Sequence, residues 1–157
     1  MSGHDIEIER RFAVNELPGE LGPSTSIEQH YVALDGDRAV RVRREDGRCH
    51  LTVKGGRGLE RTEIELTIEP TQFDRLAALG DGRTIRKQRH RIELPGGLVA
   101  ELDRFGGDLE GLTLVEVEFE SRSSAEAFVP PPWFGDELTD RRGWSNADLA
   151  VHGLPIS

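Results

Sequence analysis

Most of this chain is governed by a two-residue alternation that is also sorted by the sign of its charges. In run after run, aliphatic residues occupy one parity and charged residues the other. A β-strand sends successive side chains to opposite faces, so each run reads as a strand with one apolar and one charged face. Acidic pairs at i, i+2 recur at Glu7/Glu9, Glu63/Glu65, Glu101/Asp103 and Glu116/Glu118. Basic pairs at the same spacing occur at Arg41/Arg43, Lys87/Arg89 and Arg89/Arg91, with Lys54 standing alone. A solvated sheet face normally mixes both signs with Ser, Thr, Asn and Gln. Here each run is dominated by one sign.

The runs are short and bounded by turn residues. After the first, His4 to Val14, the stretch Asn15 to Ser26 is rich in Pro and Gly and reads as a loop. Strands are expected over Glu28–Leu34, with Gln29, Tyr31 and Ala33 on one parity, then over Arg38–Glu45 and Arg48–Lys54. Asp46-Gly47 between the last two is a hairpin signal. Further strands are expected over Leu59–Ile68, Arg83–Leu94, Leu98–Phe105 and Leu112–Glu120. The period changes to helical over Pro70–Leu79 and again over Ser123–Phe128. Pro130-Pro131-Pro132 stiffens a connection, and Asn146 to Val151 reads as a short helix capped by Asn146.

About eight antiparallel strands can close into a barrel, which removes exposed edges. The expected fold is therefore mainly β (α+β), an eight-stranded antiparallel closed barrel with a few short flanking helices. With 157 residues and no fixed-period repeat, the chain reads as one domain over 1–157.

The face carrying Glu7, Glu9 and Arg11 states the electrostatic problem such a fold must solve. Two carboxylates about 4 Å apart in a medium of dielectric near 20 repel by roughly 4 kcal/mol. A divalent cation, neighbouring Arg and Lys, or solvent can each offset that. If the charged parity points inward, the barrel encloses a wet tunnel with carboxylates on some staves and cations on others. The matching guest is a polyanion with its divalent metals: carboxylates hold hard cations through oxygen, and Arg and Lys hold phosphate oxygens. The outward aliphatic parity then needs cover from helices or from a second copy of the chain, which makes a homodimer an expectation.

Bulk properties narrow the classes. A net charge of −9 argues against a nucleic-acid binder. A single cysteine, Cys49, excludes an internal disulfide and a thiolate metal cluster. No apolar run has transmembrane length, no export signal is visible, and aromatic content of 6% leaves no girdles for a membrane barrel. A soluble cytoplasmic protein, with neither membrane nor nucleic acid as partner, is expected. The five histidines lack zinc spacing, and Gly55 to Gly58 lacks the phosphate-loop pattern.

The ordered series of charged motifs resembles the CYTH domains, the triphosphate tunnel metalloenzymes. The similarity runs through Glu7-x-Glu9, Arg41-x-Arg43, Leu51-Thr52-Val53-Lys54, Arg61-x-Glu63-x-Glu65, Lys87-x-Arg89, Glu101-Leu102-Asp103 and Val115-Glu116-Val117-Glu118-Phe119. The late stretches Trp133 to Thr139 and Asn146-x-x-Leu149-Ala150 are similar to the compact bacterial members, which are inorganic tripolyphosphatases. The resemblance implies an eight-stranded tunnel, a divalent metal (Mg²⁺ or Mn²⁺), and hydrolysis of tripolyphosphate to phosphate and pyrophosphate. The family usually has Lys where Arg11 stands here.

On that reading Glu7, Glu9, Glu116 and Glu118 are metal ligands. Glu63, Glu65, Glu101 and Asp103 bind a second metal, position water, or pair with neighbouring cations. Arg11, Arg41, Arg43, Lys54 and Arg89 bind phosphate oxygens, while Arg61 and Arg91 sit toward a rim. Lys87, among cationic neighbours, is the candidate base. Tyr31, the only tyrosine, either orients that amine or a water, or is a hydrogen-bonded wall residue. The competing readings are hydrolysis or cyclisation of an organic triphosphate (thiamine triphosphate, a nucleoside triphosphate, adenylate cyclase) and a polyphosphate- or nucleotide-binding module without turnover.

Overall fold

A computed structural model describes residues 5–155; His4, at the start of the first run, lies outside them. Nine strands and three α-helices occur in the order β1 (Ile6–Val14), β2 (Ser24–Asp35), β3 (Arg38–Glu45), β4 (Arg48–Gly55), β5 (Glu60–Ile68), α1 (Pro70–Ala77), β6 (Thr84–Glu93), β7 (Val99–Phe105), β8 (Thr113–Glu118), α2 (Arg122–Ala127), β9 (Phe134–Glu137) and α3 (Asn146–His152) among the described residues.

Every strand pair is antiparallel, and the order β5-β4-β3-β2-β6-β7-β8-β1 closes through pairing of β1 with β5. The closing ladder sets Glu7 opposite Arg61, so it joins an acidic stave to a basic residue. The expected eight-stranded closed barrel is what forms. The ninth strand, β9, has no counterpart in the sequence pattern. It runs along the other half of the same β1 edge, with Phe12 opposite Glu137 and Val14 opposite Phe134. Four residues just after a triple proline carry no usable alternation, so only the free β1 edge selects them as a strand.

Local chemistry explains several details. Asp46 and Gly47 both have positive φ (51° and 76°), the two-residue turn that matches the twist of a hairpin. β2 starts at Ser24, inside the stretch read as loop, because Ser24 to Ser26 pair with Gln88 to His90 of β6. A bulge between Tyr31 and Ala33 reverses the parity of the rest of β2. Ala33 therefore does not share the Gln29 and Tyr31 face; Leu34 takes the inward place instead and packs with Tyr31. The cap of α3 is Ser145, whose hydroxyl accepts from the Asp148 amide, and not Asn146.

Two apolar clusters lie outside the barrel. Phe73 of α1 packs on Val42 and Cys49, while α2 and the segment leading into β9 bury Phe12, Val117, Phe119 and Phe134. Each such fully buried large side chain contributes about 1.5–3 kcal/mol. The third cluster is inside. Tyr31, Ile85, Phe105 and Leu114 point inward at one end and meet Leu138 and Leu149 of the C-terminal segment. That end of the tunnel is stoppered with apolar side chains. The charged parity occupies the rest.

Candidate functional site: a charged tunnel

The inward parity leaves a chamber of about 230 Å³ bounded by Glu7 and Glu9 of β1, Arg41 and Arg43 of β3, Lys54 of β4, Glu63 and Glu65 of β5, Arg89 and Arg91 of β6, Glu101 of β7, and Glu116 and Glu118 of β8. One neutral residue completes the wall, Asn146 of α3. A second chamber, about 150 Å³, adjoins it beside the stopper and is bounded by the β2–β3 and β4–β5 turns and by residues 138–148. Tyr31 and Arg11 line the second chamber. Glu9, Arg41, Lys54 and Asn146 line both.

Ion pairs hold much of the inner wall. Lys54 Nζ lies 3.1 Å from Glu7 Oε1 and 3.4 Å from Glu63 Oε2, and Arg61 donates to the same Glu7 oxygen at 3.1 Å. Burial alone would raise the Glu7 pKa, but Lys54 and Arg61 outweigh it and hold the carboxyl down at about 2. Arg89 forks onto Asp103 at 2.7 and 2.9 Å and reaches Glu116 at 3.3 Å. Arg11 donates to Glu116 at 2.9 Å and to the Trp144 carbonyl at 2.6 Å, tying the tunnel wall to the C-terminal segment. Arg43 sets two donors on Gln29 Oε1, at 2.9 and 2.6 Å. Buried beside Arg41 and Arg89, its guanidinium pKa falls to about 10. Arg91 sits at the rim with Glu45 at 2.8 Å.

Other groups are left with unmet demands. Glu118 joins no ion pair among the described residues; partial burial and then Glu7, Glu101 and Glu63 push its pKa up to about 7. Glu9 is raised too, by burial and by Glu116 and Glu7. Carboxylate oxygens of Glu7, Glu9 and Glu118 lie within 4.8 Å of one another. Oxygen donors from two adjoining staves at that spacing are the donor set a hard divalent cation takes. Glu116, also expected as a ligand, lines the chamber but is engaged by Arg11 and Arg89, which hold it well ionised against burial. Asp103 is likewise occupied by Arg89 and Lys87.

Lys87 is shut in beneath these pairs, only 2% exposed. Its Nζ lies 2.8 Å from Asp103 Oδ2 but is poorly aimed for a hydrogen bond, and the Phe105 ring covers it at 5.4 Å. Burial lowers its pKa; Asp103 opposes and Arg89 adds to the fall, leaving it at about 7. No hydrogen bond joins it to Tyr31 among the described residues. The phenol instead sits beside Arg41 and takes a long contact of 3.4 Å from Gln29.

Two wall residues lie beyond what the sequence pattern assigns. Gln29 falls on the inward parity without a task, although a fully buried neutral amide opposite two arginines is itself a signal. Asn146 comes from outside the alternation; only the Asn146-x-x-Leu149-Ala150 stretch marks it, and that does not place it on the wall.

A closed antiparallel barrel with sign-sorted carboxylates and cations on its inner wall defines a class of tunnel proteins built to enclose an anion together with metal. The chain belongs to the CYTH domain family, whose model matches residues 5–142. It is 42% identical over 147 residues to an inorganic triphosphatase of Nitrosomonas europaea, covering 92% of this chain and 97% of the relative. An inorganic triphosphatase of Acetivibrio thermocellus is 32% identical, with 91% and 92% covered. The solved structure of an inorganic triphosphatase superposes with a TM-score of 0.70 at 37% identity, over 95% of this chain and 97% of that one.

Proposed function

We propose that this protein is an inorganic triphosphatase that hydrolyses tripolyphosphate to phosphate and pyrophosphate inside the tunnel, with Mg²⁺ or Mn²⁺. The observation that carries the reading is the inner chamber, where seven carboxylates (Glu7, Glu9, Glu63, Glu65, Glu101, Glu116, Glu118) face five cations. A polyanion entering an acid-rich chamber needs metal beside it, and a phosphate trap without turnover gains nothing from so many carboxylates.

Glu7, Glu9 and Glu118 fit a divalent cation through their oxygens; Glu63, Glu65 and Glu101, on the same chamber wall, are the candidates to position water or a second metal. Bound there, the metal supplies charge neutralisation at phosphate oxygens and a more acidic water. The chain supplies the rest. Arg41, Arg43, Lys54 and Arg89 clamp phosphate oxygens from three staves and stabilise the charge that develops in transfer. Water attacks the terminal phosphorus as the bridging P–O bond breaks, and pyrophosphate leaves with the bond's electron pair. Lys87, whose amine pKa is lowered to about 7 by burial and by Arg89, is the candidate base for the water's proton; it sits one layer behind the chamber wall, so the proton would have to reach it past the Arg89–Asp103 pair. Tyr31, on the far side of Arg41, orients water rather than the amine.

Phosphate release from tripolyphosphate, ATP, thiamine triphosphate and pyrophosphate, each with Mg²⁺ and Mn²⁺, tests the assignment; no release from tripolyphosphate would sink it. The base assignment fails on its own if Lys87→Ala and Tyr31→Phe both turn over like wild type at saturating metal. The outer chamber, with Trp144 at its wall, favours a second reading, in which an organic substituent sits there and ATP or thiamine triphosphate is the better substrate. The outward residues Ile6, Val53, Ile64 and Leu66 are exposed, and they are the face a second copy would cover; light scattering of a monomer would remove the dimer. A cytoplasmic setting suits a chain with one cysteine in which no described helix is long and apolar enough to cross a membrane.

A further inference from the structure

We infer that the side-chain amide of Asn146 is a specificity-determining group that recognises the free end of a triphosphate chain at the junction of the two chambers. The inference rests on the triphosphatase reading above and names a residue and a discrimination beyond it.

Asn146 is 8% exposed, yet its Oδ1 has no hydrogen-bond partner among the described residues. It is not needed as a cap, since Ser145 fills that role. It is the one uncharged residue that lines the inner chamber, and it is shared with the outer chamber. Arg41, at the same junction, has a buried Nε–H that is also unpartnered among the described residues. Buried polar groups are rarely left in this state, because an unmade hydrogen bond costs more than a made one gains. A donor and an acceptor left open at one junction call for a ligand that both accepts and donates there.

A terminal phosphoryl group does both. It offers oxygens to the Arg41 N–H and the Asn146 Nδ2–H, and it keeps a proton that titrates near neutrality, which Oδ1 can accept. With the scissile end in the inner chamber, the phosphate reaching the junction is a free end in tripolyphosphate but esterified in ATP and internal in tetrapolyphosphate, where it has lost that hydroxyl and can only accept. Either of those two would also have to thread past Asn146, Glu9 and Lys54 into the outer chamber. A wall of charges alone attracts any polyphosphate; the neutral amide is what tells an end from a continuation. Sites built to hydrogen-bond a substrate hydroxyl reject analogues lacking it, because the buried partner is then stranded.

The test compares wild type with Asn146→Leu and Asn146→Ala on tripolyphosphate, tetrapolyphosphate and ATP. Two readouts are taken: kcat/KM, and the rise in melting temperature produced by each ligand. Removing a buried unpaired amide should leave the ligand-free Asn146→Leu protein as heat-stable as wild type or more so. The preference for tripolyphosphate over ATP and tetrapolyphosphate should fall about ten-fold or more. A merely structural Asn146 would lower stability and depress all three substrates in proportion, and that result overturns the inference. A preference that persists in both variants also overturns it, as does a wild type stabilised equally by all three ligands. If wild type releases no phosphate but tripolyphosphate still stabilises it preferentially, and the variants lose that preference, hydrolysis is refuted and the role of Asn146 stands.

Discussion

The two halves of the tunnel are made from the same staves on the same parity, yet one is ionic and the other apolar. β1 runs from Glu7, Glu9 and Arg11 to Ala13; β6 from Arg91, Arg89 and Lys87 to Ile85; β7 from Glu101 and Asp103 to Phe105; β8 from Glu118 and Glu116 to Leu114. The change falls where Leu138 and Leu149 of the C-terminal segment enter the barrel. Where chain fills the lumen, burial favours apolar side chains. Where it does not, the lumen stays wet enough for charge. The ionic half is organised as pairs that satisfy one another; among the groups left over, Glu118, Arg41 (through its Nε) and Asn146 belong to residues that line a chamber, whereas Lys87 Nζ is sealed behind the wall. The first three mark where ligand belongs.

The largest effect should come from Arg89→Ala, which leaves Asp103 to Lys87 alone and Glu116 to Arg11 alone inside the ionic half. Breaking a buried pair from one side costs about 3–5 kcal/mol, so urea titration should show a loss of that order. Phosphate release should drop about 10²–10³-fold through the missing clamp. A variant as stable as wild type would mean that the ionic half is not held by its pairs.

Leu149→Ala probes the apolar half. Truncating this fully buried leucine should cost about 2–5 kcal/mol in the same titration, with turnover per folded molecule largely kept. Lost turnover at full stability would instead make the stopper part of the chemistry.

Arg11→Lys addresses the seam between the halves. Arginine spans Glu116 and the Trp144 carbonyl at once, whereas a single ammonium is a compact point charge that cannot reproduce the fork. Losing one charge-assisted bond should cost about 1.5–3 kcal/mol. A Lys variant of equal stability and higher rate would show that the strut is dispensable and that arginine limits the reaction.

The smallest effect is the most diagnostic. With chelator present, Glu118 has a folded pKa of about 7 against an ordinary 4.5. The folded state therefore binds more protons over that range. Its contribution to stability is whole below about 4.5 and is lost as pH rises through about 7. Thermal melts of the chelated protein should show this decline, Glu118→Gln should flatten it, and divalent metal should reverse it. Were the decline unchanged in Glu118→Gln, the acid would lie outside the metal group.

The information in the sequence reaches far along the barrel and stops at its ends. The alternation and its sorted signs determined eight strands and which charged residues share a face, because a pleated strand converts sequence parity directly into a face; barrel closure decided that this face points inward. Charge pairing did not follow from that. Glu116 and Glu118 share a strand and a face, but only the closed barrel brings Arg11 and Arg89 to the first while leaving the second without an ion pair among the described residues. The inversion at Leu34 needed the bulge, and β9 needed the free edge of β1. Asn146 reaches the wall from a helix far along the chain, so although the Asn146-x-x-Leu149-Ala150 stretch marks it, the strand alternation could not place it in the tunnel. Sequence decides what each strand shows to either side; closure decides which of those groups meet.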